Sequence, residues 1–380
     1  MQRIQFHLPR KLEFGCGAAA SCAEDLIASG YRKVLILTSG PTLGLAEPLL
    51  ERLGRENARI YPEIDREPTI ADFRKALETA RAFNPDAIVG IGGGSVLDTA
   101  KLVAAFVRST QDVTEAFGIN LLQSRSVFLA CLPTSAGTGS EVSPNAILLD
   151  ENDRLKKGVV SPLLVPDSSY VDPLLTLSVP PAVTAATGMD ALTHCIEAYT
   201  NKFAHPMVDI YALEGVRLIA ASLETAVRNG SDIEAREKLA LGSLYGGMCL
   251  GPVNTAAVHA LAYPLGGEYH LAHGLSNSLL LPAVMRFNIP AAPTRYAEVA
   301  RALGAPAQAS VEETAHEGVK LVSDLARRCG LPTTLKEVGI AKDAIGCMAT
   351  AAMKVTRLLK NNPRELSAAD AESIYQEVYE

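Results

Sequence analysis

Apolar runs too short for helices alternate with segments of helical period through the first half of the chain. KVLILTSG (33–40) is β-rich and ends in turn residues. Residues 45–56 then place Leu45, Leu49, Leu50 and Leu53 on one helical face, with Pro48 tolerable only in a first turn. ARIYPEI predicts the next strand, TIADFRKALETARAF the next helix, and PDAIVGIGGGS a third strand that breaks into glycines. SVFLACLPTSAGTGSE (126–141) repeats the design, an apolar strand followed by a Gly/Thr/Ser loop. Strands and helices in this alternation predict a parallel sheet covered on both faces. The N-terminal RIQFHLPRKLEFG reads as a hairpin at the sheet edge.

Beyond VDPLLTLSVPPAV the strand pattern stops, and helical spacing covers 182–199, 206–228, 232–249, 254–263, 274–287, 293–303, 310–329, 333–338, 341–356 and 367–378. Pro180 and Pro181 stand at the change of character, where fixed φ angles suit a hinge or a helix start. The expected organisation is α/β: a parallel-sheet domain over 1–178, then an all-helical domain over 179–380.

Composition narrows the function. The 380 residues are 48% hydrophobic and 20% charged, ordinary for a globular protein with a large core. The net charge of −7 and the lack of a Lys/Arg run argue against nucleic acid or an anionic membrane as partner. The seven cysteines are scattered, without a C-x-x-C pair, as in a reduced cytoplasmic protein. No apolar run is long enough to span a bilayer, and the first residues are too polar for a signal peptide.

Two kinds of chemistry stand out. VGIGGGSVLDTAK (89–101) follows a strand and opens a helix, so free backbone N–H groups and the helix dipole suit a pyrophosphate. Its spacing is neither the Rossmann G-x-G-x-x-G nor a Walker A loop. TSAGTGSE (134–141) adds hydroxyls at a second strand end, and open α/β sheets bind ligands at the carboxyl ends of their strands. In TGMDALTHCIEAY (187–199), Asp190 and His194 share one helix face. Alone, that pair reads as a buried hydrogen bond sooner than as a metal site, which needs further ligands from the chain. NTAAVHALAYPLGGEYHLAHGLSN (254–277) holds three of the seven histidines in small, apolar surroundings. Asp190, His194, His259 and His273 together form a carboxylate and three imidazoles, a set that suits Fe²⁺ or Zn²⁺ and is too rich in nitrogen for Mg²⁺ or Ca²⁺.

GIGGGSVLDTAK, PTSAGTGSE, GMDALTHCIEAY and HALAYPLGGEYHLAHG, in this order and at these intervals, resemble the iron-containing (group III) alcohol dehydrogenases of the dehydroquinate-synthase-like fold. The resemblance covers almost the whole chain. It implies a nucleotide-binding domain, a helical domain, a catalytic divalent metal in the cleft between them, and a homodimer or higher homo-oligomer. The metal ligands it implies fall on Asp190, His194, His259 and His273. Gly92, Gly93, Gly94 and Ser95 match the pyrophosphate loop and Asp98 follows in the same motif. Thr134, Thr138 and Gly139 match the second nucleotide loop, and Lys156 matches a lysine near the nicotinamide ribose, its alternative being a solvated surface lysine. The reaction implied is hydride transfer between NAD or NADP and a small alcohol or aldehyde, a short hydroxy acid included.

Two departures bear on that picture. Many members of the family carry a second histidine four residues beyond the third ligand, in a proton relay; here that position is Tyr263, a poorer base at neutral pH. His270 either replaces it or faces solvent. Where NAD-preferring members often have an aspartate after the strand KVLILTSG, this chain has Ser39, so the element that repels NADP is missing. The rivals of the same fold are a dehydroquinate-synthase-like lyase, for which 182–290 is poor in Lys and Arg, and a maleylacetate-reductase-like enzyme, expected to lack the full ligand set.

Overall fold

The computed structural model describes residues 3–64, 67–152, 155–306 and 308–380. In chain order the strands and helices are β1 (Lys11–Phe14), α1 (Ala18–Ala28), β2 (Val34–Leu37), α2 (Leu43–Leu53), β3 (Ala58–Tyr61), α3 (Ile70–Phe83), β4 (Ala87–Gly92), α4 (Gly94–Phe106), β5 (Gly118–Ile119), β6 (Phe128–Pro133), β7 (Asn145–Asp150), β8 (Leu155–Val160) and β9 (Ser168–Val171). From there on they are helical: α5 (Pro181–Tyr199), α6 (Pro206–Arg228), α7 (Ile233–Leu250), α8 (Ala257–Tyr269), α9 (His273–Asn288), α10 (Pro293–Ala302), α11 (Val311–Arg328), α12 (Ile345–Ala352), α13 (Thr356–Leu359) and α14 (Ala368–Glu377).

The main sheet is parallel throughout, in the order β1-β9-β6-β4-β2-β3. Alternation along each strand sorts its apolar residues between two layers. Leu35, Leu37, Ile88, Leu129 and Cys131 face α3 and α4, whereas Val34, Ile36, Val89, Ile91, Ala130 and Leu132 face α1 and α2. A sheet buried on both faces needs continuous apolar strands, which is how these strands read. The chain turns from β2 outward to β3 and back across to β4 and β6. The loops after β2, β4 and β6 therefore leave neighbouring strands at one sheet edge, the position where such sheets bind ligands.

The chain divides into two compact units: one of Phe6–Ser135 and Gly139–Ser178, the other of Val179–Glu380, which also takes in Ala136–Thr138. The tip of the TSAGTGSE loop thus belongs with the helices.

Some local expectations need correction. The N-terminal hairpin is absent among the described residues, because β1 pairs parallel with β9 instead. Pro48 lies inside α2, beyond its first turn; it is tolerated because it and Gly44, whose carbonyl it leaves unbonded, both face solvent. Residues 333–338 form turns, the helix expected over 341–356 ends at Ala352, and α8 continues past Pro264 to Tyr269. A small sheet in the order β5-β8-β7, in which β7 and β8 form an antiparallel pair, was not expected.

Candidate functional site

α5 is buried along almost its whole length. Small residues let its neighbours close in. A Cβ on Gly215 would stand 2.5 Å from Cys195 Sγ, and one on Gly246 would stand 3.2 Å from His194 Cβ. Cys195 is sealed in this contact and burial pushes its thiol up to about 12, so it is packing and not a nucleophile. The N-terminus of α9 crosses α5 still more closely: a Cβ on Gly274 would lie 2.1 Å from the Ala186 carbonyl oxygen. That approach sets His273, the first residue of α9, against Asp190.

One carboxylate oxygen is the centre of the cluster. Asp190 Oδ1 stands 3.6 Å from His259 Nε2, 3.6 Å from His273 Nε2 and 3.8 Å from His194 Nε2. Ligand atoms of Asp190, His259 and His273 all lie within 4.8 Å of one another; His194 is outside that mutual set, though its ring stacks on His259 with centroids 4.8 Å apart. Donors held at about 2.1 Å around a tetrahedral cation are about 3.4 Å apart, so the spacings to Asp190 suit a divalent ion, as does the nitrogen-rich chemistry of the set. Asn277 Nδ2 donates to Asp190 Oδ1 at 2.7 Å and sits 3.1 Å from His259 Nε2. The His273 side chain is 31% exposed while those of Asp190, His194 and His259 are 6% or less, so the cluster opens to solvent on the His273 side.

Each of the two deepest imidazoles is oriented through its far nitrogen. His194 Nδ1 faces the Gly137 carbonyl at 3.2 Å, an acceptor that requires the proton on Nδ1 and leaves the lone pair on Nε2. His259 Nδ1 is 2.6 Å from Glu197 Oε2. The Glu197 carboxylate also accepts from Ala256 N at 3.0 Å and Val258 N at 2.6 Å, capping the start of α8 where no local side chain does so. Glu197 stands seven residues after Asp190 on the same face of α5. The sequence carries it inside THCIEAY, but nothing in that spacing distinguishes it from a surface glutamate. Electrostatics follow the geometry. Burial opposes ionisation of Asp190, yet the three imidazoles hold its carboxyl well below the usual range. Burial likewise opposes charge on His259, but Glu197 and Asp190 outweigh it and push the ring up to about 9. Burial keeps His194 below its ordinary value despite Asp190.

Tyr263 rises from α8 one turn beyond His259, half-buried, with Arg357 Nη2 at 3.5 Å from its hydroxyl. His270 is exposed and closes α8 in a left-handed conformation at φ 55°, its backbone N–H on the Leu265 carbonyl. Of the two readings of His270, this is the solvent-facing one.

The glycine loops occupy the sheet edge. Gly92 ends β4 and is held glycine by packing, since a Cβ there would lie 2.6 Å from Val96. Gly93 caps α4 and Gly94 starts it; a Cβ on Gly93 would meet only Ser135 Oγ at 3.4 Å, and its φ of −75° suits any residue. Nothing within the chain therefore demands glycine at 93, whereas a ligand approaching the helix start would. Ser95 begins the first turn, with its carbonyl accepting from Thr99. Thr134 N donates to Gly92 O, joining the two loops, and Gly139 turns at φ 60°. Thr138 stands at the loop tip, next to Gly137, where a Cβ would lie 2.7 Å from Thr187 of α5. Ser39 caps the short turn after β2, its hydroxyl engaged with Thr42 at 2.7 Å.

Asp98 Oδ1 accepts from Ser140 Oγ at 2.5 Å and Oδ2 from Ile147 N at 2.9 Å, so its carboxylate braces the second loop. Lys156 is not a solvated lysine; its buried ammonium pairs with Glu67 at 2.7 Å. Lys101, deep in α4, donates to the Ser143 and Asn145 carbonyls at 2.9 and 2.8 Å and is wholly buried. Asp98 and Lys101 together fasten 140–147 to α4.

A parallel α/β unit with glycine loops at its sheet edge, joined to a helical unit around an Asp–His cluster, is the architecture of a metal- and nucleotide-dependent dehydrogenase. The chain belongs to the iron-containing alcohol dehydrogenase family: the family's N-terminal model matches residues 9–173 and its C-terminal model residues 184–379. It is 37% identical to long-chain-alcohol dehydrogenase 1 of Geobacillus thermodenitrificans over 386 aligned positions, covering 99% of this chain and 96% of that one. It is 33% identical to lactaldehyde reductase of Escherichia coli K12, over 95% and 96% of the two chains. Among solved structures it resembles a 1,3-propanediol oxidoreductase (TM-score 0.96, 32% identity, full coverage of both chains). It also resembles a sulfoacetaldehyde reductase of Bifidobacterium kashiwanohense in complex with NAD⁺ (TM-score 0.89, 26% identity, 100% and 99% coverage). The protein is thus an oxidoreductase of the alcohol dehydrogenase kind.

Proposed function

We propose that the protein interconverts small alcohols and aldehydes with NAD(H) or NADP(H), using Fe²⁺ or Zn²⁺ held by Asp190, His194, His259 and His273. The observation that carries this reading is the convergence of three imidazole Nε2 atoms on Asp190 Oδ1. A divalent cation there supplies Lewis acidity, easing loss of the alcohol proton and polarising an aldehyde carbonyl. The protein's own work is orientation: Asp190 supplies the negative charge, while Glu197 and the Gly137 carbonyl keep the protons of His259 and His194 on Nδ1. Gly92, Gly93, Gly94 and Ser95 offer the α4 N-terminus to the pyrophosphate, with Thr134, Thr138 and Gly139 beside it in the second loop and Asp98 bracing that loop. We assign the proton at the substrate oxygen to the Tyr263 hydroxyl in preference to the exposed His270, and a place near the nicotinamide ribose to Lys156.

The α/β unit is read as the dinucleotide-binding domain, 1–178, and 179–380 as the metal-binding domain. A homodimer or higher homo-oligomer and a cytoplasmic location complete the proposal. The location is in keeping with the absence of a disulfide, and of a helix long and apolar enough to cross a membrane, among the described residues.

Oxidation of NADH and of NADPH with a panel of short aldehydes, with and without added Fe²⁺ or Zn²⁺, tests the reading directly. Metal-dependent turnover is expected, and His259→Ala should lose both metal and activity. Parental metal content in that variant would show that the cluster is not the metal site.

A further inference from the structure

Tyr263 stands where the helix period puts it on the same face of α8 as His259, four residues further on. Helical side chains lean toward the N-terminus, so its ring extends back over the turn that carries His259. Beside its hydroxyl, at 3.5 Å, is Nη2 of Arg357. Arg357 belongs to the single-turn helix α13, which packs on α8. The segment is fixed on the C-terminal side of Arg357. Leu358 is buried, Asn361 Nδ2 donates to the Thr255 carbonyl at 2.8 Å, and the Asn361 carbonyl accepts from Lys202 N at 2.8 Å. Asn362 and Asn288 exchange amide hydrogen bonds at 2.9 and 2.7 Å. The guanidinium is thus carried on a rigid mount.

Arg357 differs from the chain's other sequestered arginines in what it touches. Arg125 pairs with Asp167 at 2.5 Å, Arg295 pairs with Asp209, and buried Arg236 fills its donors with the Gly230 and Val179 carbonyls and the Thr184 hydroxyl. Arg357 is half-buried, and among the described residues no carboxylate lies within ion-pair distance of it. A partly desolvated guanidinium whose one hydrogen-bond partner among the described residues is a phenol retains most of its planar fork of donors, the geometry that receives a carboxylate or sulfonate on two parallel bonds.

We propose that Arg357, oriented by its contact with the Tyr263 hydroxyl, is an anion subsite for the substrate, and that the preferred substrates are short aldehydes or alcohols bearing a carboxylate or sulfonate a few carbons from the reacting carbon. This rests on the alcohol dehydrogenase reading above and assigns its substrate class. The charged end docks on Arg357 while the carbonyl or hydroxyl end reaches the Asp190 cluster one helical turn away. The reaction itself is unchanged: the aldehyde carbon gains hydride from the nicotinamide and its oxygen gains a proton.

The test uses pairs of aldehydes matched in length, a four-carbon aldehyde with and without a terminal carboxylate and a two-carbon aldehyde with and without a sulfonate, on the metal-loaded enzyme. The parent should favour the acidic member of at least one pair by about tenfold or more in kcat/KM. Arg357→Met should shrink that acidic-to-neutral ratio by about tenfold, and Arg357→Lys by less, since the charge survives without the fork. Melting temperature and metal content report whether each variant is folded. A parental ratio near one in both pairs overturns the proposal whatever the variants do. So does an equal loss on acidic and neutral aldehydes in Arg357→Met, or a raised KM for the nicotinamide with every aldehyde, which would make Arg357 a cofactor contact. Absence of turnover on all four aldehydes would instead overturn the dehydrogenase reading, and this inference with it.

Discussion

Glu197 shows how one carboxylate can govern a neighbour's proton. Because an ionised carboxylate only accepts, the 2.6 Å contact holds a proton on His259 Nδ1, so the proton the ring gives up to admit a cation is the one on Nε2, toward Asp190. Glu197→Gln can turn an N–H toward the same nitrogen, which favours the other tautomer and places a proton where a cation should bind. A loss of metal affinity of about 10- to 100-fold is expected, measured by competition against a chromophoric chelator. An unchanged dissociation constant would mean that the bond caps α8 and does nothing for the ring. Glu141 makes a prediction about pH. Burial pushes its carboxyl up to about 7 from an ordinary 4.5, its own backbone N–H and Lys101 offsetting only part of that. The folded state therefore holds this proton more tightly than the unfolded chain does, so the associated stability is fully present below about pH 4.5 and lost as pH rises through about 7. Glu141→Gln should remove that slope: relative to its own offset at acid pH, it gains up to about 3 kcal/mol on the parent by pH 8 in chemical denaturation. Parallel stability curves for the two proteins would refute the burial argument. At this scale Asp190, His194, His259 and His273 were legible as ligand-type letters in apolar text. Glu197, Asp98 and Lys101 were not legible in these roles, because what each does depends on partners 42 to 62 residues away.

Helices and loops are where the site acquires its precision. α9 can bring His273 to Asp190 only because Gly274 lets two backbones nearly touch, and a methyl there would meet Ala186 O at 2.1 Å and Asp190 Cβ at 3.2 Å. The first of these neighbours is backbone and cannot swing aside. Gly274→Ala should therefore force α9 off α5, with a cost of about 2–3 kcal/mol in urea denaturation and a weakened metal site. Gly304→Ala, at a left-handed glycine with open space around it, gives a comparison in which only backbone strain is added. Equal stability of Gly274→Ala and the parent would show that the helices tolerate a wider spacing. The elements themselves were readable where period and caps agree, as in α3, which starts at a capping box on Thr69, and α6, which starts at Pro206. They were misread where tertiary contact overrides local signals. β1 has the alternation of a hairpin strand but pairs with β9, more than 150 residues later, and α8 runs through Pro264 inside packing that a sequence window does not contain.

At the scale of the molecule, the order of strands brings the turn after β2 beside the glycine loop after β4. The β2, β4 and β6 ends lie side by side, so the turn at Ser39 neighbours the glycine loop at Gly92–Ser95, and Thr38 Oγ1 ties the two strand ends by donating to the Ile91 carbonyl at 2.8 Å. In such sheets an acidic side chain beyond the neighbouring strand accepts from the adenosine ribose and repels the extra phosphate of NADP. Here the residue is Ser39, its hydroxyl held in a local turn with Thr42, and no carboxylate follows in the rest of that turn, Gly40-Pro41-Thr42. Discrimination against NADP requires a repulsive element, and this turn offers none. Acceptance of both NADH and NADPH follows, with no strong preference, since no arginine in the turn rewards the phosphate either. Steady-state kinetics with one aldehyde and both cofactors measure it. Values of kcat/KM within about a hundredfold of each other, roughly 2.7 kcal/mol, are expected. A larger preference for NADH would require a carboxylate brought to the ribose from another part of the chain. Ser39→Asp should then leave the ratio where it was, whereas on the present reading it should shift the ratio toward NADH by about tenfold or more.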